Sequence, residues 1–202
     1  MTQSLANLFP DKLQDSELPE GWKKSKLGDL VTPKKGKSIT KKEAKEGKIP
    51  VVAGGRKPAY YHNSFNATGP VITISSSGAN AGFVRLYYQD IWASDCSFIN
   101  YQQTDYLYSI FVYLKLQQDE IYRNQQGAVQ PHIYPSDLMK LKIPSIPFDI
   151  MREYESLVSP LFEHIAANKE HSQTLANMRD LLLPKLMTGK IRIHDMEVIN
   201  NV

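Results

Sequence analysis

Residues 70–99 read PVITISSSGANAGFVRLYYQDIWASDCSFI, and the fold turns on them. β-Branched and aromatic side chains dominate 70–75, 81–88 and 91–99, and a small-residue run (Ser76, Ser77, Gly78, Ala79, Asn80) separates the first two. The former suit a pleated, half-buried surface, whereas Gly, Ser and Asn favour turns. Three short strands at this spacing predict a small mixed or antiparallel sheet. Upstream, Ile49, Pro50, Val51, Val52 and Ala53, ended by Gly54 and Gly55, add a strand and a turn.

Downstream the period changes. Leu107, Ile110, Phe111, Leu114 and Ile121 recur at three- and four-residue intervals, which predicts an amphipathic helix over 105–123. A polar stretch, 124–132, precedes a last strand from Leu138 to Ile143, and Pro144 and Pro147 close the domain. After Asp149, placed to cap, Met151, Tyr154, Leu157, Val158, Leu161, Phe162 and Ile165 share one helical face. Pro160 either bends this helix or opens a second one capped by Ser159. From Leu161 to Leu183 it would measure about 35 Å. A heptad counted from Leu161 puts Leu161, His164, Asn168, His171, Leu175, Met178, Leu182 and Lys185 at a and d, too polar for an isolated coiled coil. That pattern fits a helix with a specific partner, Asn168 fixing register, and it fits equally a helix packed on its own domain. Pro184 is expected to end it and Gly189 to begin a tail. The fold class is therefore α+β: a lead-in at 1–17, a small-sheet domain at 18–149, a long helical region at 150–187 and a tail at 188–202.

The chain has 202 residues, 42% of them apolar and 22% charged, enough for a core without disulfides or metal. Its one cysteine, Cys96, excludes a disulfide framework and a multi-cysteine zinc site. No apolar run approaches the ~20 residues that span a bilayer, and the opening residues show no signal-peptide pattern, so a cytoplasmic protein without membrane contact is expected. Net charge is +3, unevenly placed: residues 23–57 carry twelve Lys or Arg against Asp29, Glu43 and Glu46, a balance of +9, leaving −6 elsewhere. This polarity points to a polyanion partner, although a solvated lysine loop would share the composition.

Catalytic signatures fail in turn. There is no phosphate loop, no dinucleotide fingerprint, no nucleophile elbow, and no His-Glu-x-x-His spacing among the five histidines. Asp11, Glu43 and Lys45 loosely match a magnesium-dependent nuclease, but that chemistry needs carboxylates converging from strand ends, and these lie in polar, lysine-rich segments. No catalytic residue, metal or cofactor is expected. The polar segments carry the binding chemistry instead. Lys34, Lys35, Lys37, Lys41 and Lys42 form a cationic run; Arg56, Lys57, Tyr60, Tyr61 and Asn63 follow the Gly-Gly turn. Ser76, Ser77 and Asn80 occupy the mid-sheet turn, and Arg123, Asn124, Gln125, Gln126, Gln130 and His132 the later stretch. Duplex recognition needs such a mixture: cations for phosphates, and amides, hydroxyls and guanidinium groups for base edges.

Residues 8–17 (LFPDKLQDSE) leading into 18–22 (LPEGW), residues 74–82 (ISSSGANAG) and residues 175–191 (LANMRDLLLPKLMTGKI) together resemble the C-terminal half of the specificity subunit of Type I restriction–modification enzymes. The resemblance implies a non-catalytic reader of double-stranded DNA, with 18–149 as a target-recognition domain. It implies that 150–187 docks methyltransferase and restriction subunits. Family members carry two recognition domains held apart by two antiparallel helices, whereas one of each is seen here. A two-fold homodimer through Leu157, Leu161, Ile165, Asn168, Leu175, Met178 and Leu182 would restore the pair. The alternatives are the stand-alone nuclease and a helix-mediated interaction protein that binds no DNA.

Overall fold

The computed structural model describes residues 21–127 and 131–191. In chain order its elements are β1 (Lys23–Lys26), α1 (Leu27–Leu30), β2 (Lys34–Lys35), β3 (Ile49–Val52), β4 (Tyr60–His62), β5 (Val71–Ser75), β6 (Val84–Tyr87), β7 (Trp92–Ala93), β8 (Cys96–Asn100), α2 (Leu107–Leu116), α3 (Gln118–Arg123), α4 (Pro135–Met139), β9 (Lys142–Ser145) and α5 (Phe148–Met187), with a 3-10 turn at Gly78–Asn80. The α+β class holds: small sheets, then a long C-terminal helix. The lead-in 1–17, with Asp11, the reader candidate Gln130, and the tail beyond 191 lie outside the described residues. The chain divides into two compact units that part between Val158 and Ser159.

In the first unit the strands form three small sheets. Antiparallel β2-β8-β5-β6 is the largest, β4-β3-β7 is mixed, and β1-β9 is a two-stranded antiparallel pair. Strands β5 and β8 are buried along their whole length, so their sequences lack the alternation of a half-wet strand. Their register sets Ile72 opposite both Ile99 and Leu86. Ile72, Ile74, Ile99, Leu107, Ile110 and Leu114 are almost completely buried, each contributing roughly 1.5–3 kcal/mol of apolar transfer. Cys96 lies in a second buried cluster with Val52, Val71, Ile91, Ala93 and Phe98, and burial pushes its thiol up to about 12, an inert hydrophobe.

The structure corrects several sequence expectations. The run 91–99 is two strands in two sheets: β7 pairs parallel with β3, and β8 joins β5 and β2. The switch falls at Ser94 and Asp95, where the Ser94 N–H donates to the Val52 carbonyl (2.8 Å) and the Ser76 N–H to the Asp95 carbonyl (3.1 Å). The helix expected over 105–123 steps at Gln117 into α2 and α3. The step lets the Gln118 amide donate to the Gly82 carbonyl (2.8 Å) and accept from the Val84 N–H (3.0 Å), so α3 grips the end of β6. Leu138 belongs not to a strand but to α4, which opens with Pro135 at its first turn while Asp137 accepts the Tyr134 N–H (3.1 Å). The last strand is β9, one turn later.

Helix α5 starts at Phe148, so Asp149 sits in its first turn rather than capping it; an acid there still complements the positive end of the helix dipole. The helix runs through Pro160 without ending, and also through Pro184, which was expected to stop it. A proline removes one N–H and leaves the rest of the ladder. Termination comes at Gly189, at φ +67°, after Thr188 has hydrogen-bonded the Pro184 carbonyl through both its N–H and its hydroxyl. Within the first unit, Met151, Tyr154, Glu155 and Val158 of α5 are buried. In the second unit, Leu161, Ile165, Leu175, Met178 and Met187 are all exposed. Among the described residues no helix is long and apolar enough to cross a membrane.

Candidate nucleic-acid interface

The turn at 76–80 is the hub onto which the polar segments fold. Its carbonyls and N–H groups are taken up by the chain that returns after α3: Ile133 N–H donates to the Ser76 carbonyl (2.9 Å) and Gly78 N–H to the Pro131 carbonyl (3.0 Å). His132 bridges in turn to Gln126, each N–H donating to the other's carbonyl at 2.8 Å. Residues 123–127 and 131–133 are thereby laid beside the turn. Gly82, at φ +78°, supplies a left-handed residue just beyond it; a Cβ there would stand 2.8 Å from the Ile121 side chain.

The loop after β3 reaches the same hub. A Cβ on Gly54 would stand 2.8 Å from the Ser77 carbonyl oxygen, so only glycine allows this approach. Arg56 donates through Nε to Asn80 Oδ1 (3.1 Å), and the Ser77 hydroxyl donates to the Asp95 carboxylate. Asp95, absent from the sequence reading, thus holds the turn to the point where the chain changes sheets. Its only signal was an acid inside an otherwise apolar run.

The lysine-rich segment is anchored, not loose. Gly36 N–H donates to the Cys96 carbonyl and Lys37 N–H to the Ala93 carbonyl. Trp92 donates its indole N–H to the Lys37 carbonyl (2.8 Å), Tyr60 its hydroxyl to the Ile39 carbonyl, and Lys45 its N–H to His62 Nδ1 (3.0 Å). Lys34, Lys35, Lys37, Lys41 and Lys42 are all exposed on this pinned backbone, which Gly36 and Lys37 tie to residues 93–96. Lys34 and Lys35 form the short strand β2, antiparallel to β8.

Not every candidate is equally available. Lys57, Tyr61, Asn63, Arg123, Asn124 and Gln126 are exposed, and Ser77, Asn80, Gln125 and His132 half-exposed. Ser76 is buried and Tyr60 is engaged in the anchor. Gln125 donates its amide to the Ala81 carbonyl (2.7 Å) and braces the turn, which leaves Gln126 as the exposed amide of the pair. His132 stacks on Tyr134, ring centroids 6.1 Å apart.

Glu43 of the nuclease alternative accepts the Thr40 N–H and hydroxyl, both at 2.8 Å, and these bonds hold its carboxyl below the usual range. It is a turn-closing residue. Among the described residues no cluster of three or more His, Cys, Asp or Glu is arranged to hold a metal.

Residues 19–175 match the family model for the Type I restriction modification DNA specificity domain. The Type I restriction enzyme MjaIX specificity subunit of Methanocaldococcus jannaschii is 25% identical over 94% of this chain, which spans 48% of that relative. Among solved structures, the Type I restriction–modification S subunit from M. genitalium shares the fold at TM-score 0.67 and 24% identity, over 89% of this chain and 49% of its own. The HsdS subunit from Thermoanaerobacter tengcongensis does so at TM-score 0.53 and 20% identity, over 89% and 48%. The chain therefore spans about half the length of the relatives it matches.

Proposed function

This chain belongs to the Type I restriction modification DNA specificity domain family, and from that membership we propose that it is a sequence-specific reader of double-stranded DNA. In this reading it contributes half of a specificity subunit. The recognition domain is 18–149, and 150–187 is the region that docks methyltransferase and restriction subunits. It binds rather than transforms: methyl transfer and cleavage belong to those partners, and the assembly works in the cytoplasm. One observation carries the reading. Two polar segments, the loop after β3 through Arg56 and the stretch after α3, meet on the polar 76–80 turn, which Asp95 ties to the strand change that also holds the lysine segment. Cations position a duplex through its phosphates, and amides and hydroxyls discriminate its bases.

The test is selection of bound duplexes from a random pool, with the methyltransferase subunit present. A defined half-site is expected, and recovery of unrelated sequences would overturn the proposal. Within a selected site, Gln126→Ala should cost roughly 1–3 kcal/mol and relax preference at one base pair. A uniform loss over all sequences would reassign Gln126 to the phosphates.

The same proposal pairs two chains through their C-terminal helices. Leu161 (61% exposed), Leu175 (65%) and Met178 (53%) offer apolar area that association would cover. Such a dimer carries two recognition domains and favours an inverted-repeat site. Light scattering at micromolar concentration should give about twice 22.9 kDa, and a purely monomeric species would remove the dimer.

A further inference from the structure

We propose that Arg85 and Lys115, with Arg56, form a seat for a DNA backbone phosphate beside the 76–80 turn. This rests on the DNA-binding reading and adds two residues that sequence inspection did not select.

Three cations from three elements gather around two rings. The Arg56 guanidinium carbon lies 5.3 Å from the centre of the Phe83 ring and Lys115 Nζ 5.2 Å from the same centre. The Arg85 guanidinium carbon lies 4.8 Å from the centre of Tyr87. Arg85 donates to the Arg56 carbonyl, Arg56 to Asn80, and Lys115 to the Val84 carbonyl (3.3 Å). Among the described residues none of the three forms an ion pair with a carboxylate, unlike Lys140 with Asp137 or Arg179 with Asp180.

Cations set along one strand and unpaired with a carboxylate raise the local potential, and an incoming anion stabilises them. Partial burial holds the Lys115 ammonium below its ordinary pKa. The side chains are already fixed by hydrogen bonds and ring faces, so little conformational freedom remains to be lost on binding. Both arginines keep further N–H donors, in the fork that suits a phosphate. The bland reading is a brace, with cation–π contacts of about 0.5–1 kcal/mol each clamping a loop over β6.

Salt dependence separates the two. Arg85→Gln, Lys115→Gln and their double are compared with wild type on a selected and an unrelated duplex, with thermal melting recorded for each protein. A phosphate seat predicts that the double substitution lowers the slope of log affinity against log salt by about 0.9, and each single one by part of that, equally for both duplexes and with base preference unchanged. Arg85→Lys, which keeps the charge, should retain the slope. An unchanged slope in the double, or a lowered melting temperature with an unchanged slope, would establish the brace and overturn the seat. Displacement of duplex by inorganic phosphate at constant ionic strength would make it a small-anion site and overturn the DNA assignment. A wild-type protein that binds no duplex at low salt would sink the DNA-binding reading itself, a result distinct from either.

Discussion

Glu155→Ala is expected to lower the melting temperature by roughly 6–20 °C, a large effect for one residue of the first unit. Glu155 lies on α5 but caps α2: its carboxylate accepts the Tyr108 N–H (3.0 Å), the Ser109 N–H (2.8 Å) and the Ser109 hydroxyl. Those N–H groups belong to the first turn of α2, whose own N-cap residue, Tyr106, provides no side-chain hydrogen bond. A carboxylate there accepts charge-assisted bonds and sits at the positive end of the helix dipole. Removal leaves buried donors unsatisfied at about 1–3 kcal/mol each, so a total near 3–5 kcal/mol is reasonable. At about 2–4 °C per kcal/mol for a protein of this size, the stated drop follows. Glu155→Gln keeps an acceptor and should cost about half as much. Calorimetry checks both, and an alanine variant melting within about 2 °C of wild type would refute the capping role.

The second large effect is on DNA affinity. Changing Lys34, Lys35, Lys37, Lys41 and Lys42 together to glutamine should flatten the salt slope by up to about 4.5, at 0.9 per neutralised phosphate. Wild type should then gain roughly 10²–10³ more in affinity than the variant when salt falls from about 200 to 50 mM. Because these side chains are exposed on a backbone held by Trp92, Tyr60 and His62, melting should barely change. Base preference should survive, since cations on phosphates position the duplex without reading it. A variant with the wild-type slope would show that the duplex lies elsewhere.

Much of the fold was legible because its central strands are chemically blunt. The VITIS run of β5 and the apolar spacing of α2 leave little choice of conformation. What escaped depended on partners distant in sequence. The run 91–99 looks continuous because Trp92–Ala93 and Cys96–Asn100 are both apolar, and only pairing with different strands separates them. Gln117 is no helix breaker; the break there follows from Gln118 reaching the β6 backbone. At the interface, residue types announced the polar segments, but not that they converge. Nor could composition show that Gln125 serves the Ala81 carbonyl while Gln126 stays exposed. Arg85 and Lys115 went unselected because each stands alone in an apolar stretch, and only the fold carries Lys115 to the Val84 carbonyl, next in the chain to Arg85.

The pairing of β1 with β9 joins Lys23 to Ser145 and Lys26 to Lys142, and the Leu27 N–H continues it to the Leu141 carbonyl. Entry and exit are thus clasped, and everything from Leu27 to Leu141 is a cassette whose two ends meet. Segments closed in this way tolerate replacement, because the flanking chain is asked only to present one fixed gap. A different insert with the same clasp could be grafted in without redirecting the polypeptide on either side, so a new binding preference need not be invented one residue at a time.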